Sequence, residues 1–180
     1  MKIDSVLSFT LSKEEIDGIV KQARLATIGG ESSIRLADDR KKKLIQDQVV
    51  GMAGHYALCK YWFGDDHMFR VQRFFANQYP NMGDGGVDIP GSNVDIKTSH
   101  LHTSLPIIEH CLPVRPREFK ESTVYILGLF EVSDDIYKVH LVGWAKGCEL
   151  SLASAGVFTG AYTIKASGLH ELPPIMWWRN

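Results

Sequence analysis

Asp88, Asp95 and Lys97 stand within one short run, residues 83 to 100, reading GDGGVDIPGSNVDIKTSH. Side chains of a β-strand alternate between faces, so a strand through Val94 to Thr98 projects Asp95 and Lys97 to one side and Ile96 to the other. Pro90-Gly91-Ser92-Asn93 is turn chemistry. A hairpin pairing Val87–Ile89 with Val94–Thr98 would therefore bring Asp88 within reach of Asp95. Two carboxylates beside an ammonium are the groups that phosphodiester hydrolysis needs. Hard oxygen ligands hold Mg²⁺ or Mn²⁺ against a phosphate oxygen, and a cation orients the attacking water and stabilises the charge growing on phosphorus. In that chemistry Asp88 and Asp95 are the expected metal ligands, the backbone carbonyl of Ile96 adds a third oxygen, and Lys97 is the expected catalytic cation. Ser99 shares the Lys97 face and is the expected contact to the scissile phosphate. The plainer alternative is a solvated hairpin in which Asp95 and Lys97 form an ordinary ion pair.

These residues need a frame to hold them. A short strand is expected within residues 2 to 9. Ser12, followed three residues later by Glu15, forms a capping box that opens a helix with the apolar stripe Ile16, Ile19, Val20 and Ala23, ending near Leu25. Residues 27 to 39 read as a loop, which sets the first 35 residues apart as an N-terminal helical arm, with the main domain over 36–180. A longer helix is expected from Asp39 to Phe63, where Leu44, Val50, Ala53, Ala57 and Tyr61 recur at helical spacing and Gly64 stops the run. Gly51 and Gly54 inside it cost up to about 1 kcal/mol each against Ala, so a strand or a ligand must approach that face closely. After an irregular stretch holding Arg70 and Arg73 comes the hairpin, then strands over 123–132 and 136–144 joined at Ser133-Asp134-Asp135. A helix over 145–155 and a strand over 162–166 complete the order. This succession predicts an α/β or α+β domain with a central mixed β-sheet flanked by helices.

Asp88, a short spacer and then Asp95-Ile96-Lys97 resemble the PD-(D/E)xK nuclease superfamily. The likeness extends over about residues 40 to 170. Gly51-Met52-Ala53-Gly54-His55 stands where members carry a helical GxxGE signature, and Val139 to Trp144 is similar to the strand that follows the catalytic hairpin. The resemblance implies a restriction-endonuclease-like core and a divalent-metal-dependent endonuclease acting on DNA. His55 stands where the family has a glutamate, which implies a metal-binding role for His55, and Val87 stands where the family has proline. Histidine suits hard Mg²⁺ less well than a carboxylate and shifts the balance toward Mn²⁺. Asp47, two helical turns before His55, would supply a carboxylate on nearly the same face. The rival reading is an inactive module of the same fold that only grips DNA or a protein.

Composition limits the remaining options. With 44% hydrophobic residues in 180, the chain can close an ordinary core. Lys and Arg number 20 against 21 Asp and Glu, so a nucleic-acid contact has to be a local patch. Arg115 and Arg117, in a Pro-rich loop soon after the hairpin, are the expected phosphate contacts; Arg40 to Lys43, Arg70, Arg73 and Lys120 are further basic positions. A double-strand cutter needs two active sites, so a homodimer is expected for that substrate. Cys59, Cys111 and Cys148 are three in number and widely spaced, which points away from a disulfide framework and toward a reducing, cytoplasmic setting. No run reaches the roughly 18 apolar residues of a membrane span. His100, His102, His110 and Cys111 lack the regular spacing of a zinc knuckle. Trp177-Trp178 read as core or interface residues rather than base-stacking platforms.

Overall fold

The computed structural model describes residues 5–28, 38–78, 88–89, 91–156 and 158–173. The N-terminal strand β1 spans Leu7–Leu11 and is followed by helix α1, Lys13–Ile28. The expected capping box opens α1: the Ser12 amide donates to Glu15 Oε2 at 2.7 Å, and the Glu15 amide donates to Ser12 Oγ at 3.2 Å. Helix α2 runs Asp38–Phe63 and α3 runs His67–Gln78. Strands β2 (Val94–His100), β3 (Cys111–Val114), β4 (Val124–Ser133), β5 (Ile136–Lys146), β6 (Ser151–Leu152) and β7 (Tyr162–Lys165) follow.

Two sheets result, giving a mixed α+β fold. The larger has the order β1-β5-β4-β2, with β1 and β4 antiparallel to β5 and β2 parallel to β4; the smaller has the order β3-β7-β6. β4 is buried on both faces, which is why its sequence is a nearly unbroken apolar run. Ile126 and Phe130 join Ala53, Ala57, Ile16 and Ile19 in a core under the helices. Tyr125, Leu127 and Leu129 join Leu112 and Val114 in a second core beneath the smaller sheet. The molecule is therefore layered as helices, large sheet and small sheet. Asp134 and Asp135 make the β4–β5 turn with φ of 46° and 64°, the left-handed pair that a two-residue hairpin demands.

Three sequence expectations change. The strand paired with β2 is β4, from far along the chain; Asp88 and Ile89 form a bend instead, tied back by the Asp88 amide donating to the Val94 carbonyl at 2.9 Å. Val87 and Pro90 lie outside the described residues. Arg70 and Arg73 sit on a helix, α3, rather than in irregular chain. The expected helix over 145–155 is absent: β5 continues to Lys146 because Trp144 and Ala145 pair with β4, then a 3₁₀ turn over Gly147–Glu149 leads into β6. Sheet pairing there overrides a locally helix-compatible sequence. Among the described residues β1 lies at the edge of the large sheet, and Leu11, Ile16, Ile19 and Ala23 belong to the main core. Trp177-Trp178 lie outside the described residues. No helix among the described residues is long and apolar enough to cross a membrane.

Candidate active site

Among the described residues β2 is an edge strand, and its edge sets the geometry of the site. The Val124 amide donates to the Asn93 carbonyl at 2.8 Å, which fixes the phase of the parallel ladder: odd-numbered residues of β2 turn their backbone groups toward β4, even-numbered ones toward the open edge. The Ile96 amide accordingly donates outward, to Asp88 Oδ2 at 2.8 Å. The Ile96 carbonyl points to that same edge.

Asp88 is held from three directions. Besides the two bonds to β2, its carbonyl accepts from His55 Nε2 on α2 and from Gln72 Nε2 on α3, both at 3.0 Å. His55 is buried, stands edge-on to Phe69 with ring centres 5.3 Å apart, and has Nδ1 4.0 Å from Asp88 Oδ1. Gly54 allows this approach of α2 to β2, since a Cβ there would fall 1.7 Å from Thr98 Oγ1. A strand thus meets Gly54, as the sequence requires. Gly51 has nothing within 4 Å of a Cβ position and opens onto a cleft.

Asp95 and Lys97 share one strand face as expected, with Lys97 Nζ 2.8 Å from Asp95 Oδ2. Burial, then the charge of Asp88, pushes the Asp95 carboxyl up to about 7, Lys97 only partly offsetting them. Burial works against the charge on Lys97 too, but Asp95 and Glu118 outweigh it and keep the ammonium protonated. Two carboxyl groups that resist simultaneous ionisation are a donor set that a divalent cation relieves.

Glu118 has no local sequence signal. It lies in a 3₁₀ turn over Pro116–Glu118 whose backbone is fixed by Tyr125, the hydroxyl donating to the Glu118 carbonyl at 2.9 Å. From there Glu118 Oε2 sits 3.0 Å from Lys97 Nζ, and Oε1 sits 3.6 Å from both Arg115 Nη1 and Arg117 Nε. Burial tends to raise its pKa, but Lys97 and the two arginines bring it below the ordinary carboxylate value.

All of these groups face a cleft of about 1010 Å³ running along the β2 edge. Its helix wall carries Asp47, Gly51 and His55; its floor is Asp88 and Asp95 to Thr98; its far wall carries Arg115, Arg117 and Lys120. Ser99, though on the Lys97 face, is not among the cleft-lining residues, and Asp47 lines the cleft from an exposed position. Among the described residues no three His, Cys, Asp or Glu side chains gather into a ready cage, so the oxygen donors on hand are Asp88, Asp95 and the Ile96 carbonyl. His102 and His110 stack, with ring centres 6.2 Å apart, and His110 bonds to backbone at Pro106 and His102. Comparison with protein-family models, with curated proteins and with solved structures gives no match.

Proposed function

We propose that the chain is a divalent-metal-dependent nuclease hydrolysing DNA phosphodiester bonds, of the kind its resemblance to the PD-(D/E)xK superfamily implies. The observation that carries this reading is the convergence of the Asp88 and Asp95 carboxyl groups with the Lys97 ammonium at an open strand edge facing a cleft. Asp88, Asp95 and the Ile96 carbonyl are the groups that would hold Mg²⁺ or Mn²⁺, with His55 beside them. When bound, the ion polarises a phosphate oxygen and lowers the pKa of coordinated water.

The chain's own residues do the rest. Held between Asp95 and Glu118, Lys97 stays a cation, so it acts as a hydrogen-bond donor to the attacking water or to a non-bridging phosphate oxygen rather than as a base. Attack on phosphorus builds negative charge next to that fixed ammonium, and losing such a donor costs roughly 10²- to 10³-fold in rate. Arg115 and Arg117, which line the cleft, are the residues that would meet the phosphates of the strand.

A second reading is supported by a specific observation: His55, which stands where the resemblance implies a carboxylate, donates its Nε2 hydrogen to the Asp88 carbonyl, so α2 adds no carboxylate beside Asp88 and Asp95 at that position. A module that only binds nucleic acid would tolerate that. Cleavage of supercoiled plasmid, single-stranded and branched DNA with Mg²⁺ or Mn²⁺ separates the two. Metal-dependent cutting lost in both Asp95→Ala and Lys97→Ala is the expected result; a folded wild type that binds DNA and cuts none of the substrates belongs to the binding module.

A further inference from the structure

Among the described residues, the cations lining the cleft are Arg73, Lys97, Arg115, Arg117 and Lys120. Lys97, Arg115 and Arg117 already face the carboxylate of Glu118. Arg73 is different. Its Nε is buried without a hydrogen-bond partner, it forms no ion pair among the described residues, and its guanidinium lies over the Phe69 ring, 5.9 Å from the centre.

The nearest alternative role would be a structural ion pair on the other side of Arg73, where a second cavity of about 550 Å³ is lined by Glu15, Asp66 and the exposed Glu14, which forms no ion pair with Arg73. Glu15 and Asp66 are already engaged. Glu15 Oε1 takes Lys60 Nζ at 2.9 Å and the Tyr56 hydroxyl at 2.6 Å, and Asp66 Oδ2 takes Arg70 Nη2 at 2.8 Å. A partly buried guanidinium that no carboxylate meets retains its desolvation cost until an anion arrives. Its planar fork matches phosphate oxygens. Arg73 also follows Gln72, whose amide holds the Asp88 carbonyl, so it stands on the helix wall beside the proposed reaction centre.

We infer that Arg73 binds a backbone phosphate of the nucleic-acid strand, next to the phosphate held at Asp88, Asp95 and Lys97, and opposite the Arg115–Arg117 wall. The inference rests on the nuclease reading. It makes the cleft a two-walled clamp on the backbone, with Arg73 the anchor on the helix side.

The test is fluorescence anisotropy with a labelled single-stranded oligonucleotide in Ca²⁺, over a series of salt concentrations, for wild type, Arg73→Gln, Arg73→Lys and the exposed control Arg24→Gln. Arg73→Gln should bind roughly five- to tenfold more weakly at about 0.1 M salt, with a salt slope smaller by about 0.7 to 1, while Arg24→Gln binds as wild type. Arg73→Lys should recover part of the affinity. The melting temperature of Arg73→Gln should stay close to that of wild type, since no ion pair is lost and relief of the buried charge offsets loss of the Phe69 contact. Unchanged affinity and slope in Arg73→Gln overturn the proposal, as does a lower melting temperature with unchanged binding, which would make Arg73 structural. If wild type binds no oligonucleotide, the nucleic-acid reading itself fails. Stabilisation of wild type, but not Arg73→Gln, by millimolar inorganic phosphate in that case assigns the position to a free phosphate and overturns the strand assignment.

Discussion

Gly51 and Gly54 lie one turn apart on α2, and the same substitution at each should act in opposite directions. A Cβ on Gly54 falls 1.7 Å from Thr98 Oγ1, 2.8 Å from Thr98 Cβ and 3.1 Å from Thr98 Cγ2. Rotating Thr98 can move Oγ1, but its Cβ is placed by the β2 backbone. Restoring a carbon–carbon contact of about 3.5–4.0 Å then requires α2 and β2 to part by roughly 1 Å. Overpacking of that kind costs about 1–3 kcal/mol, against a gain of about 1 kcal/mol from replacing a helical glycine. With backbone movement forced, Gly54→Ala should fall near the upper end, a net loss of about 1–2 kcal/mol. At about 2–4 °C per kcal/mol for a chain of this length, the melting temperature drops by about 2–8 °C. Gly51→Ala meets nothing within 4 Å, so the propensity gain stands alone and the melting temperature rises by about 2–4 °C. Adding Thr98→Ala to Gly54→Ala should recover only part of the loss, because the Thr98 Cβ remains. Calorimetry of the three variants checks the argument. A Gly54→Ala protein as stable as wild type, or shifts of the same sign at both glycines, would refute the packing geometry on which the placement of Asp95 and Lys97 depends.

Asp95 makes stability depend on pH in a definite direction. Its carboxyl ordinarily titrates at 3.8 and is pushed up to about 7 in the folded chain, so the native state holds the proton longer than the unfolded one. The stability attached to it is complete below about pH 4 and is lost as pH rises through about 7. In metal-free buffer, Asp95→Asn should therefore gain on wild type between pH 4 and 8, and Mg²⁺ at pH 8 should restore wild type alone; a difference flat with pH would count against the buried Asp88–Asp95 pairing. Glu118→Gln takes one of two anchors from Lys97 and releases Arg115 and Arg117. Under the nuclease reading it should lower KM several-fold while reducing kcat about tenfold, and steady-state kinetics with neither constant moved would make Glu118 incidental.

Much of the frame is legible because its signals are local. The α2 stripe, the Ser12–Glu15 box and the β4–β5 turn each lie within a few residues of the structure they specify. Strand alternation likewise puts Asp95 and Lys97 together before any partner is known. The missing parts are non-local. β2 pairs with a strand some thirty positions later, Val94 with Val124, and no property of either segment names the other. A turn at Pro90–Asn93 therefore reads as a hairpin, though Asp88 reaches β2 from a bend. Glu118 comes to Lys97 only because Tyr125 ties down the turn that carries it.

Asp88 also explains how a histidine can occupy the position where the nuclease resemblance implies a carboxylate. A carbonyl oxygen carries no hydrogen, so His55 Nε2 is the donor in its 3.0 Å contact with Asp88, and Gln72 supplies a second donor to the same oxygen. Through these bonds α2 and α3 hold the Asp88 backbone, while the Ile96 amide holds Oδ2 and so helps aim the carboxylate. Under the nuclease reading α2 contributes orientation first, and Nδ1 is the His55 nitrogen facing the carboxylate side. Two carboxylates and one carbonyl leave several positions on an octahedral ion to water and phosphate oxygens, the distribution that Mg²⁺ at phosphate-processing sites commonly adopts. Under that reading a third carboxylate on α2 is not required for the chemistry, and a histidine at position 55 is compatible with it.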